Sequence, residues 1–379
     1  MSCWPVHPQP FDDELFSSWI LRAARANGQK VFSLLYLFEE KASNIHSNLD
    51  NAITPELVHH FATSLNTPFS RAYQTTLQSY EGYLFEATTK KVNRKTCILY
   101  AGIKRKALQR FPLQFCSLCL ATGEPYFRKR WRVSFITVCS KHRCQLLDRC
   151  PKCGLPVNPM KHDVGYQAMH VRNELVHCYG CGFDLTQSTV QRADEDLTNE
   201  TLWYESILKN GYVSLNSGDW IYSFCFFSIL RHLMRVVLFK NEHLTEHTQK
   251  YDIDVLPHSY RYRALCMLVK VFQQWPIKFI ELCGVHNIQY SDLSSVSERH
   301  LPFWLDSLAR EEFYYPNIQP SEISIINAID YMIAEGERLN ASALNRRLGY
   351  SDSRVVKSVL KKYQKNKRFH LPYARKLND

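Results

Sequence analysis

Three absences narrow the reading of this 379-residue chain. Met1 to Pro10 has no basic start followed by an apolar run, so a secretory leader and a disulfide scaffold are not expected. No apolar stretch approaches the roughly 20 residues of a membrane-spanning helix. The longest, Ile221 to Leu230, contains two serines and stops at Arg231-His232, as a buried core helix would. There is also no internal repeat and no low-complexity tract, which excludes solenoid, fibrous and disordered classes. Acidic residues are missing where basic ones gather. Residues 87–110 hold eight Lys/Arg and no Asp/Glu, residues 111–153 eight against two, and residues 338–379 twelve against two. The chain carries +11 in all, so the remainder is acidic, and patches of one sign suggest a polyanionic partner on particular faces.

The texture predicts a mostly α, multi-domain chain. Residues 1–110 read as an N-terminal helical domain. Pro10-Phe11-Asp12-Asp13-Glu14 suits a helix start and Asn27-Gly28 a stop, with Leu15, Trp19, Ala23 and Ala26 on one face. Thr54-Pro55 and Thr67-Pro68 each resemble an N-cap followed by proline at the first helical position. Residues 111–187 change to Cys, Pro, Gly and aromatics, the composition of a zinc-ribbon-like insert. Residues 188–335 return to helices, clearest at 220–240, 260–275 and 322–335, and 336–379 form a helix-turn-helix with a basic tail.

Thirteen cysteines in such a chain are free, catalytic or metal-bound. Eight candidate ligands come in pairs: Cys116 with Cys119, Cys139 with His142, Cys150 with Cys153, and Cys178 with Cys181, with Pro151, Gly154 and Gly182 as turn-formers beside them. Each pair presents two donors to one tetrahedral ion, so two structural Zn2+ ions are expected. Sequential pairing, first with second and third with fourth, is favoured over a cross-brace. The seven-residue gap before Cys150 disfavours a RING finger, and closed four-ligand shells leave no open position for catalysis. His177 can compete with Cys178, and His162 and His170 share its loop. Cys3, Cys97, Cys144, Cys225, Cys266 and Cys283 read as buried small hydrophobes.

Two basic motifs follow. In Phe127 to Arg132, Arg128, Arg130 and Arg132 alternate with aromatics, which suits phosphate or base contact, or equally a strand whose Phe127, Trp131 and Phe135 pack on the zinc core. In 340–363, Asn340 can cap a first helix, Gly349 supplies the turn, and Ser351 or Ser353 caps a second helix exposing Ser353, Arg354, Lys357, Ser358 and Lys361. Ala343, Leu344 and Leu348 would face Val355, Val359 and Leu360. The basic helix suits a nucleic acid or an acidic protein surface.

The run Cys116-x-x-Cys119, Gly123-x-Pro125-Tyr126-Phe127-Arg128, Arg130-Trp131-Arg132, Cys139-x-x-His142, Cys150-Pro151-x-Cys153-Gly154 resembles the zinc module of the TniQ/TnsD family of transposon target selectors. Pro10-x-Asp12-Asp13-Glu14-Leu15, Ser17-Ser18-Trp19 and Arg22 are similar to its N-terminal signature. Together the two motifs cover 8–28 and 111–182, roughly a quarter of the chain. The resemblance implies a non-enzymatic, cytoplasmic bacterial adaptor that recruits a transposition AAA+ ATPase to an insertion site. Short members ride, as a homodimer, on an RNA-guided CRISPR Cascade complex, and the length here favours that kind. Longer TnsD-like members read attachment-site DNA directly.

Overall fold

The computed structural model describes residues 3–38, 49–86, 95–101, 103–104, 107–108, 110–161, 175–216, 218, 220–241, 252–294, 301–313, 320–350 and 353–368. The chain is mostly helical, as its texture predicts, with short antiparallel strand pairs. It forms two compact units, residues 1–312 and 313–379. Among the described residues, no helix is long and apolar enough to cross a membrane.

The first unit opens with α1 (Phe16–Ala26), α2 (Val31–Phe38), α3 (Leu49–Ala52), α4 (Pro55–Ser64) and α5 (Phe69–Gln74). The acidic run does not start α1. Asp13 has φ +57°, and the helix begins three residues later. The reason lies in pairing: Glu14 bridges to Arg128, Lys129 N–H donates to Asp13 O (2.7 Å), and Leu15 N–H donates to Phe127 O (2.9 Å). These backbone bonds take residues 13–15 out of the helix. Leu15, Trp19 and Ala23 are buried as expected, whereas Ala26 is exposed and Phe16, Ile20 and Ala24 are also buried. Thr54 caps α4 as read, accepting from Leu57 N–H (3.3 Å) with Pro55 at N1. The next cap shifts by one: Pro68 is the cap residue of α5, and the Thr67 hydroxyl turns to Leu65 O instead.

Next come β1 (Ile103–Lys104), β2 (Ala107–Leu108), α6 (Ser117–Ala121), β3 (Val138–Cys139) and β4 (Cys144–Gln145), and then α7 (Glu195–Asn210), β5 (Tyr212–Ser214) and β6 (Trp220–Tyr222). The 220–240 helix thus begins only after a strand, as α8 (Ser223–Asn241). Its Phe226, Phe227, Leu230, Leu233, Met234 and Val237 are all buried, matching the core-helix reading. The helix predicted at 260–275 is α9 (His258–Met267), which gives way to turns up to α10 (Ile277–Val285). Shorter α11 (Tyr290–Ser294) and then α12 (Phe303–Phe313) follow.

Helices α7 to α9 are fastened to the Cys-rich segment from within. Phe135 stacks on Phe227 with centroids 4.4 Å apart. The fully buried Arg261 guanidinium donates to Ser134 O (2.6 Å) and Gln114 Oε1 (3.1 Å). His258 donates its backbone N–H to Asp148 Oδ2 (3.0 Å), and its ring Nε2 lies 2.8 Å from Thr137 O.

The second unit holds α13 (Glu322–Ala334), α14 (Ala341–Arg347) and α15 (Arg354–Arg368). Ser321 and Asn340 cap the first two, accepting from Ser324 N–H (3.0 Å) and Ala343 N–H (2.8 Å). Gly349 takes φ +80° at the turn. Ser353 Oγ accepts from Val356 N–H (3.3 Å), so Ser353 serves as the cap of the last helix and is buried rather than exposed, while Ser351 lies outside the described residues. Leu344, Val359 and Leu360 meet in the core as expected, together with Val356 and with Ile325, Ile329 and Met332 from α13. Ala343, Leu348 and Val355 flank it. The three helices form a bundle around this core.

Candidate metal centres

Cys116 is the N-cap of α6, and its sulfur accepts the Cys119 N–H at 3.4 Å. The first Cys-x-x-Cys is thus held at a helix start, where backbone N–H groups favour thiolates. Cys139 ends β3, and the turn to β4 brings back His142. The turn closes through Arg143 N–H donating to Cys139 O (2.8 Å), with Arg143 at φ +50°. The later pairs repeat this bond. Gly154 N–H donates to Cys150 O and Gly182 N–H to Cys178 O, both at 2.9 Å, with the glycines at φ +71° and +67°. Three pairs therefore share one knuckle: two donors three apart, closed by a residue in the left-handed region, which glycine occupies without strain.

The four donor pairs meet two by two, first with second and third with fourth. The donor atoms of Cys116, Cys119, Cys139 and His142 all lie within 4.8 Å of one another, as do those of Cys150, Cys153, Cys178 and Cys181. A tetrahedral zinc shell with bonds of 2.3 Å to sulfur and 2.0–2.1 Å to nitrogen sets ligand edges of about 3.8 Å between sulfurs and about 3.6 Å from sulfur to nitrogen. In the first cluster His142 Nδ1 is 3.2, 3.4 and 3.6 Å from Cys119, Cys116 and Cys139 Sγ, and Cys119 and Cys139 Sγ are 3.6 Å apart. In the second, Cys150–Cys181 and Cys153–Cys178 are 3.7 and 3.6 Å apart. Both clusters fit a four-coordinate, sulfur-rich ion such as zinc. Hydrogen bonding from Cys116, then Cys119 and Cys144, lowers the Cys139 thiol. His177 stands outside the second cluster, bridged through its backbone to Asp184, and His162 and His170 lie outside the described residues.

Of the cysteines left over by the spacing, Cys97 and Cys283 are buried, Cys3 is exposed, and Cys225 and Cys266 are half-buried. Cys144 is different: its Sγ is 3.6 Å from Cys116 Sγ. The signal for it was available. Cys139 and Cys144 flank the Cys-x-x-His turn and sit directly opposite each other on β3 and β4.

The arginine run is a 3-10 turn over Lys129–Arg132 rather than a strand. Phe127, Trp131 and Phe135 are buried, as the packing alternative expects. Arg132 is 3 % exposed and ion-pairs with Asp50 at 3.1 Å. Arg130 lies 3.3 Å from both Asp13 and Glu205. Arg128 covers the Tyr126 ring at 4.7 Å. Arg130 and Lys129 line an open cleft of about 920 Å³ with Asp13, Tyr80 and Glu205. Burial brings Lys129 down to about 8, and its ammonium donates to Ser79 Oγ (2.7 Å) and Gln74 O (2.5 Å). By contrast, Arg354, Lys357 and Lys361 are exposed along α15, away from its buried Val356, Val359 and Leu360.

The two sequence motifs turn out to be two halves of one clasp. Glu14 receives Arg22 Nε and Nη2, each at 2.9 Å, and the Ser18 hydroxyl at 3.0 Å. Ser18 Oγ in turn accepts Phe127 N–H (3.0 Å), and Arg22 Nη1 reaches Glu124 (2.8 Å). The N-terminal signature therefore grips the segment between Cys119 and Cys139. A family model described as TniQ matches residues 5–146, which span this clasp and the first cluster. Residues 5–146 belong to the TniQ family. A TniQ domain points to target selection in transposition. The second cluster and the three-helix unit lie beyond the matched segment. No curated protein matches the chain.

Proposed function

We propose that this chain is a non-enzymatic target-selection adaptor, linking an RNA-guided CRISPR Cascade complex on target DNA to a transposition AAA+ ATPase. The TniQ domain, whose clasp grips the segment between Cys119 and Cys139, carries this reading. Two four-donor groups, each able to complete the shell of a structural ion, support a scaffold rather than a metal enzyme. In the cytoplasm of a bacterium such a protein would work as a homodimer, with the acidic parts of its surface available to protein partners. Co-purification of the full chain with Cascade, guide RNA and the ATPase encoded beside it tests the proposal. Recovery of a bridged complex is expected; a folded chain that joins neither would refute it.

The exposed cations of α15 favour a second reading, direct recognition of an attachment site. If about six contacts each neutralise a phosphate, binding to duplex DNA should weaken with salt with a log–log slope of about −5. A footprint on one sequence in the absence of any guide complex would select this reading over the first.

A further inference from the structure

A fifth sulfur stands beside the four donors of the first cluster. Cys144 Sγ lies as close to Cys116 Sγ as Cys119 Sγ lies to Cys139 Sγ, 3.6 Å in both cases. Cys144 is 2 % exposed. Its backbone is pinned opposite Cys139 in the hairpin and bridged on its other side to Arg192. Zinc takes four ligands and is equally at home with three cysteines and a histidine or with four cysteines. The five donors are also unequally placed. The four sulfurs of Cys116, Cys119, Cys139 and Cys144 are buried, whereas His142 is half-buried on the turn between the strands. His142 is thus the donor nearest to solvent, and its departure leaves three sulfurs with a fourth beside them.

We propose that Cys144 is a reserve ligand of the first site, closing it as a four-sulfur shell when the His142 imidazole is withdrawn. While histidine is bound, the Cys144 thiol donates its S–H to a neighbouring thiolate. On exchange, that proton passes to solvent, the Cys144–metal bond forms and the imidazole–metal bond breaks. No oxidant or reductant is involved.

The inference rests on the first cluster holding zinc and is independent of the adaptor reading. The test uses the full chain, with zinc measured by elemental analysis and cobalt(II) as a spectroscopic probe of sulfur ligation. The unaltered protein is read first; an ion missing from its first site removes the premise. His142→Ala is then expected to keep that ion, with sulfur-to-cobalt absorption increased by one thiolate. His142→Ala combined with Cys144→Ser is expected to lose it. Loss of the ion in His142→Ala alone, or its retention in the double variant, overturns the reserve role. Should His142→Ala not fold, Cys144→Ser decides, because it leaves the original four donors intact. Its zinc should pass to a chromogenic chelator several-fold faster than in the unaltered chain, since no reserve donor recaptures a loosening ion. An unchanged rate overturns the proposal.

Discussion

Glu14 shows how one residue ties the two sequence motifs together. Its side chain is fully buried, and so nearly is that of Arg22, which meets it with two hydrogen bonds. Removing one member of a buried pair leaves the other charge without its partner, typically at a cost of about 3–5 kcal/mol. Arg22→Met should therefore destabilise the first unit by roughly that amount in denaturant melts, and Glu14→Gln, which keeps a polar group, by less. The identity of these residues was legible in the sequence, but their role was not. The acidic run resembles a helix start, and only pairing with residues 127–129, more than a hundred positions away, makes it a bridge. The buried histidines set a pH dependence. Burial holds both His232 and His258 down to about 4, from an ordinary 6.5. Between pH 6.5 and 4 the unfolded chain takes up protons at these two positions that the folded chain refuses, so their contribution to stability falls as pH drops through that window and levels off below it. Asp254, pushed up to about 6 by burial, acts in the opposite sense, gaining stability as pH falls from 6 towards 3.8, and Asp13, Asp50, Glu200 and Glu205, also raised by burial, act with it, so the histidine contribution is read as the difference between variant and unaltered chain. His258→Gln should flatten the decline of stability between pH 6.5 and 4, by up to about 3 kcal/mol across the window. A decline as steep as in the unaltered chain would contradict the assignment.

The repeated knuckle is the element on which the metal clusters depend. Its spacing and its glycines can be read from sequence because each performs a local task, whereas the choice of which knuckles meet is made by the strands and α6. At Gly182 a methyl group would meet nothing within 4 Å, so Gly182→Ala isolates the cost of the left-handed backbone. That change should lower stability by about 1–2 kcal/mol, and Arg143→Gly, at the equivalent position of the first cluster, should be neutral or slightly stabilising. Thermal melts of the two variants check both. The start of α14 and the turn after it were legible through Asn340 and Gly349, the cap and turn that the chemistry demands. The contribution of α13 was not, because an apolar stripe does not declare its partner; Ile325, Ile329 and Met332 close the core of this unit. Arg354 stands outside that core, so Arg354→Ala should leave the melting temperature unchanged and weaken binding wherever α15 meets phosphate.

Across the whole molecule, the structure changes what metal removal should do. Read as a separate insert, residues 111–187 would melt alone and leave the helices of 200–335 standing. Yet Arg261 and His258 of α9 are anchored on Ser134, Gln114, Thr137 and Asp148, and Phe227 of α8 stacks on Phe135. Loss of the metal clusters should therefore loosen α7 to α9 as well, while α13 to α15, with a core of their own, retain their helical signal. Hydrogen exchange with and without chelator can follow the two units separately. The expectations for the metal clusters rest on eight side chains holding two ions. Elemental analysis of the freshly purified full chain tests that directly: about two zinc ions per chain are predicted, and a well-folded protein free of metal would contradict it.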